Sequence, residues 1–218
     1  MELILRNEQT EDWQSLAFAV HDTFGRFRRA VEHEGAWAHL YDGDRKPANE
    51  SRHQGLFRLF SRISFEAFGI RISPGANYGT GPTDLTFTLQ EDIHIVEFKK
   101  DYSLQRLIHG LTVQLPIYLR SAGAKMGTYA VMCHDRNPQE IQNILEPFRA
   151  SAEAKSGILL ELEIVDCRPK DSRSMSRSRS PGPRSPAHWA RSFATLKSGK
   201  TPPATRQACP HSDANPGL

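Results

Sequence analysis

Residues 84–100 read DLTFTLQEDIHIVEFKK. Two alternating apolar–polar runs, Asp84–Leu89 and Ile93–Lys100, flank a short polar stretch, and this pattern predicts a β-hairpin with one face turned to a core. Leu85, Phe87, Leu89, Val96 and Phe98 fall on that face, interrupted only by His94, and are expected to pack on a helix. Asp84, Thr86, Glu97 and Lys99 fall on the other. Two registers are open. A turn at Gln90-Glu91 sets Asp84 directly opposite Glu97, with Cβ atoms about 5 Å apart; a turn at Glu91-Asp92 sets Asp84 opposite Lys99 instead. Because side chains alternate with a period of two, Asp84, Glu97 and Lys99 share a face in either case.

Working outward, the glycine-rich stretch SPGANYGTGP precedes the hairpin, and Ile70-Arg71-Ile72 before it is a short extended segment. Upstream, Asn49 is placed to cap a helix carrying Leu56, Phe60, Ile63 and Ala67 on one face, with Glu50 in its first turn. Trp13, Ala17, Val20, Phe24, Phe27 and Val31 recur every three or four residues and predict a leading amphipathic helix over about 10–34, with Thr10 as its N-cap. Downstream, Ser103 caps a helix reaching about Ser121, Gly127–His134 is a buried strand, Asn137-Pro138-Gln139-Glu140 opens a further helix, and Ile158–Val165 is a last strand. The order is helix, three strands, helix, strand, helix, strand behind one leading helix. It predicts an α/β domain over 1–168, its core at about 49–166, with a mixed central sheet flanked by helices.

After Cys167 the composition turns to SRSMSRSRSPGPRSP and a Pro- and Ser-rich end, too poor in large apolar residues to offset its ordering entropy. Residues 169–218 are therefore expected to be a disordered basic tail. Ten of the 28 Lys and Arg lie in 168–218 against two of the 25 acids, so the tail supplies the whole of the net +3 and the body is acidic. Charge alone thus gives no argument for nucleic acid, and such an argument must come from a site. The tail reads as a solvated linker or as a salt-sensitive nucleic-acid contact. Cys133, Cys167 and Cys209 are odd in number and lack CxxC spacing, which predicts free thiols in a reducing cytoplasm and no zinc finger. The opening MELILRNEQTEDW is charged early and no long apolar run follows, so neither a signal peptide nor a membrane span is expected.

Two carboxylates held close raise each other's pKa unless a cation lies between them, and a divalent ion is the natural cation. With Lys99 beside it, such a site can polarise a phosphate and activate water for phosphodiester hydrolysis. These residues resemble the PD-(D/E)XK nuclease superfamily, whose signature here is Pro82-Thr83-Asp84 followed by Glu97-Phe98-Lys99 on the next strand; Thr83 separates the proline from the aspartate. The core order of helix, three strands, helix and strand is similar to the restriction-endonuclease-like core αβββαβ. Gln114-Leu115-Pro116-Ile117-Tyr118 resembles the Gln-x-x-x-Tyr helix of RecB-like members, with Pro116 a departure that is expected to kink or restart the helix.

The resemblance implies a DNA nuclease dependent on Mg2+ or Mn2+, RNA not being excluded, with Asp84, Glu97 and Lys99 catalytic. It further implies Glu50 as a third ligand, Glu66 being a weaker match, and Gln114 and Tyr118 as supports. Each residue also has a plainer reading. The hairpin's polar face can be a solvated surface, Glu50 a first-turn acid favouring the helix dipole, and Gln114 and Tyr118 packing residues. Gly79 and Gly81 suit a turn better than a phosphate cradle. His53, His94, His109 and His134 stand singly in the sequence and read as structural. The alternative function is a catalytically silent module on the same fold that binds nucleic acid or a partner ATPase.

Overall fold

Leu85 pairs with Val96 and Leu89 with Asp92, which sets the hairpin in the first of its two registers, with Gln90 and Glu91 at the turn. Gln90 takes the left-handed φ of 52° that this tight reversal needs. The computed structural model describes residues 12–170. In chain order the elements are α1 (Asp12–His33), a 3-10 turn (Ala36–Leu40), α2 (Glu50–Phe65), a second 3-10 turn (Glu66–Phe68), β1 (Arg71–Pro74), β2 (Leu85–Leu89) and β3 (Asp92–Lys100), then α3 (Leu104–His109), a π turn (Gly110–Gln114), α4 (Leu115–Ala122), β4 (Met126–Cys133), α5 (Pro138–Ser156) and β5 (Leu159–Asp166). The predicted helix 10–34 and its Thr10 cap begin outside the described residues, as does the tail beyond residue 170.

The five strands form one mixed sheet in the order β1-β2-β3-β4-β5. The first three are antiparallel, and β3, β4 and β5 run parallel. Parallel neighbours need crossovers, and α3–α4 and α5 supply them. Because helices lie on both faces, β4 is apolar almost throughout and buried on both sides. One face carries Leu85, Phe87, Val96, Phe98, Ala130, Met132 and Val165 and packs against α1 and α2. The other carries Ile95, Tyr129, Val131 and Ile164 beneath α3–α5. Among the described residues no helix is long and apolar enough to cross a membrane.

The α1 stripe is buried as its periodicity predicts, from Ala17 through Val31. On α2 the Asn49 cap forms, its Oδ1 accepting the Arg52 N–H at 3.1 Å, but the buried face is turned from the expected one. His53, Phe57, Ser61 and Phe65 point inward, Leu56 and Phe60 lie at the margin, and Ala67 is exposed in the 3-10 turn after the helix. The reason is aromatic packing: the Phe57 ring stacks on Phe24 at 4.1 Å and lies edge-on to Phe27 and Phe87.

The single helix expected from Ser103 is broken by the π turn directly before Pro116. Pro116 has no N–H to donate four residues back, and a widened turn accommodates the loss. Gly110 lies in that turn, where a Cβ would come within 2.4 Å of the Tyr129 hydroxyl; that hydroxyl donates to the Leu107 carbonyl at 2.9 Å.

Phe57→Ala is expected to cost about 3–5 kcal/mol in denaturant unfolding, through the cavity it leaves. Leu59→Ala on the same helix, where Leu59 is 62% exposed, should stay within about 0.5 kcal/mol. Equal costs would contradict the packing.

Candidate active site

The ladder between β2 and β3 ends at Leu85, and Asp84 sits one step beyond it, ahead of the strand rather than inside it. Its side chain takes over where the backbone pairing stops: Oδ2 accepts the Phe98 N–H at 2.7 Å. Continuing the observed register puts Asp84 opposite Glu97. From Glu97, Lys99 is two residues along β3 on the same face, and its Nζ donates to Glu97 Oε1 at 2.6 Å. The sheet thus brings the three residues of the hairpin motif together.

This is no solvated face. Glu97 is 1% exposed, and its second oxygen, Oε2, is buried with no hydrogen-bond partner. Burial foremost, then the Asp84 carboxylate, pushes Glu97 up to about 7 against the pull of Lys99. Asp84 is raised too, by burial, with the Phe98 N–H and Lys99 opposing. On Lys99 burial works against the charge, yet Glu97, Asp84 and Glu50 together hold the ammonium above the usual lysine range. Three acids therefore surround one base.

Glu50 reaches this group from the first turn of α2, where its Oε1 accepts the Lys100 N–H at 3.4 Å. It is near enough to disfavour ionisation of both Asp84 and Glu97. The oxygens of Glu50, Asp84 and Glu97 nonetheless stand wider apart than three ligands around one ion; the group of the described residues that does converge, within 4.8 Å, is His21, Glu161 and Glu163 on the opposite face. Glu66 falls in the 3-10 turn at the far end of α2. Gln54, which the sequence reading passed over, lies close enough to Asp84 to favour its carboxylate. It lies one helical turn past Glu50, so the i, i+4 spacing was the signal that points to it.

Gln114 and Tyr118 meet as the motif spacing predicts, the Gln114 amide donating to the Tyr118 hydroxyl at 3.0 Å. They face the loop that leads into Asp84, since a Cβ on Gly81 would lie 3.5 Å from the Tyr118 hydroxyl. Gly79 and Gly81 both have positive φ, and Asn77 Oδ1 accepts both of their N–H groups, which makes this loop a turn.

Two further contacts hold the ends of the strands. Buried Asp101 accepts the N–H groups of His134, Asp135 and Arg136, locking the end of β3 to the loop after β4. His53 and His134, which stand singly in the sequence, form a buried pair with Nε2 to Nε2 2.7 Å apart. His53 Nδ1–H donates to the Asn49 carbonyl at 2.8 Å, so the shared proton sits on His134 Nε2. Burial pushes both rings down to about 4, and the neutral pair anchors the α2 turn that carries Glu50 and Gln54. His94 is buried against the Thr128 hydroxyl at 2.8 Å.

A family model described as Domain of unknown function (DUF8371) matches residues 16–136, more than half of the chain. The chain belongs to the DUF8371 family. The matched DUF8371 span runs from α1 to the loop after β4 and holds Glu50, Gln54, Asp84, Glu97, Lys99, Gln114 and Tyr118, but not β5. No curated protein and no solved structure matches the chain.

Glu97 has a folded-state pKa above its unfolded value, so the folded protein binds the extra proton between about 4.5 and 7 and loses stability as pH rises through that window. Glu97→Gln removes this dependence. In metal-free buffer the Tm of the parent is expected to fall relative to that of Glu97→Gln between pH 5 and 8; parallel Tm curves would show that Glu97 does not titrate there.

Proposed function

We propose that this protein is a divalent-metal-dependent nuclease that hydrolyses phosphodiester bonds of DNA, similar to the PD-(D/E)XK superfamily. The observation that carries the reading is Glu97 Oε2, a buried carboxylate oxygen with no partner, beside the raised carboxyl of Asp84 and the ammonium of Lys99. A carboxylate left this way costs free energy unless a cation meets it. The donor set fits Mg2+ or Mn2+, because Asp84 and Glu97 offer hard oxygens, and Mg2+ is commonly held by one or two carboxylates with water completing its shell. Three converging protein ligands are therefore not needed, and Glu50, whose charge is felt by both acids, would join through water.

Bound there, the ion would polarise a phosphate oxygen and lower the pKa of a water. Asp84 and Glu97 would hold the ion. Lys99 keeps its proton and sets positive charge where the attacked phosphate gains negative charge. Gln54 and the Phe98 N–H fix the Asp84 carboxylate, while Gln114 and Tyr118 brace the loop before it and offer polar groups to the nucleic-acid backbone. Division of labour is required, since one positioned donor contributes about 3–4 kcal/mol and such reactions need about 8–23. DNA as substrate comes from the resemblance. Cytoplasmic location is supported by Cys133 and Cys167, both buried free thiols.

A second reading has one observation in its favour: Lys99 is docked directly on Glu97 and offsets its charge without a metal, so the same fold would bind nucleic acid or an ATPase partner without cutting. The purified full chain, incubated with plasmid and linear DNA in Mg2+, Mn2+ or EDTA, separates the two. Cleavage is expected with metal and not with EDTA, and Asp84→Asn and Lys99→Ala should each reduce it at least about a hundredfold with circular dichroism unchanged. DNA binding without cleavage under any metal would favour the silent module; cleavage that survives both variants would sink the assignment.

A further inference from the structure

Glu161 and Glu163 are two residues apart on β5 and so point to the same side of the sheet, the side packed against α1. Glu163 is buried there opposite Ala130, and Glu161, opposite Thr128, is part-buried. Inward charges on an edge strand discourage pairing with another chain, which accounts for acids at this place but not for their arrangement. His21 of α1 reaches across to them. Its Nδ1 contacts Glu161 Oε1 and lies 3.4 Å from Glu163 Oε1, and the three atoms lie within 4.8 Å of one another.

The oxygens that do not face this point are tied back by other groups. Glu161 Oε2 accepts the Thr128 hydroxyl at 3.1 Å, and Thr128 in turn meets His94 Nε2 at 2.8 Å. Glu163 Oε2 accepts from Arg28 at 3.2 Å. Each carboxylate thus presents one oxygen to a common point while an outer partner orients the other, which is how protein metal ligands are held. Ligand atoms about 2.0–2.2 Å from a tetrahedral ion stand about 3.3 Å apart, close to the spacing of His21 Nδ1 and Glu163 Oε1, while Glu161 Oε1, in direct contact with Nδ1, has to draw back by one side-chain adjustment to join them.

We propose that His21, Glu161 and Glu163 form a zinc site that clamps α1 to β5, separate from the Asp84–Glu97 centre and on the other face of the sheet. One imidazole and two carboxylates make a mixed nitrogen–oxygen set, for which zinc outranks manganese and magnesium in affinity, leaving a fourth position for water. Without the ion, a proton on His21 supplies the positive charge that Glu161 needs, and Arg28 serves Glu163. Zinc takes the place of that proton. His21 lies 140 or more residues from the two acids in the chain, so an ion here ties the first described helix to the last strand.

The test uses the full chain stripped with EDTA, titrated calorimetrically with ZnCl2 and, as controls, MnCl2 and MgCl2. His188, Cys209 and His211 in the sequence can also take zinc, so variants decide rather than stoichiometry. One zinc-binding event is expected to weaken at least about tenfold in both His21→Ala and Glu163→Gln, and to persist in Asp84→Asn/Glu97→Gln, which disables only the proposed nuclease centre. Zinc at a hundredfold excess over its Kd should raise the Tm by roughly 5–10 °C in the parent and in Asp84→Asn/Glu97→Gln, and not in Glu163→Gln. Glu163→Gln keeps the side-chain size, so circular dichroism of that variant guards against a folding defect. Zinc affinity and Tm response unchanged in both His21→Ala and Glu163→Gln, or no zinc binding by the parent, would overturn the clamp and leave a protonated histidine between two acids.

Discussion

Where β2 runs out, the carboxylate of Asp84 takes the N–H of Phe98, and the candidate site depends on that hydrogen bond. It continues the antiparallel register by one residue after the backbone has stopped pairing, so Asp84 stays opposite Glu97. The carboxyl group is then fixed at the hairpin's mouth, beside the next strand residues on the same face.

Burial turns this arrangement from a surface pattern into a chemically loaded one. The helices α3–α5 cover the face that carries Glu97, and α2 brings Glu50 and Gln54 to its edge. Like charges in a poorly hydrated place raise each other's pKa, and one lysine does not neutralise three acids. The fold keeps this strain in place through contacts remote from it: the neutral His53–His134 pair, the three N–H groups gathered by Asp101, and the aromatic stack of Phe24 on Phe57. These contacts position without touching a ligand, and they join α2 and the ends of β3 and β4 into one frame.

The sheet is also two-sided in its polar chemistry. Acids at Asp84 and Glu97 face one layer of helices near the hairpin, while Glu161 and Glu163 face the other from the edge strand. The family match covers the first pair and ends before the second. The two groups differ in donors as well, oxygen alone in one and an imidazole with oxygens in the other, so the two proposed sites would select different cations by hardness.

Much of the architecture was legible from periodicity, because a half-buried element must repeat its apolar residues at its own pitch. The α1 stripe, the hairpin's apolar face and the order of elements along the chain follow from that local rule, as does the sharing of one face by Asp84, Glu97 and Lys99, and the Asn49 and Ser103 caps follow from residue type. Two registers satisfied the pattern equally, and only the folded chain, with its turn at Gln90-Glu91, chose between them. The interruption of the helix at Pro116 was likewise legible, whereas the rotation of α2 toward Phe57, the burial of Glu97 and the meeting of His53 with His134 or of His21 with Glu161 were decided in three dimensions. Each depends on residues far apart in the chain that come together when both faces of the sheet are covered, and spacing within one element carries no trace of a partner more than 80 residues away.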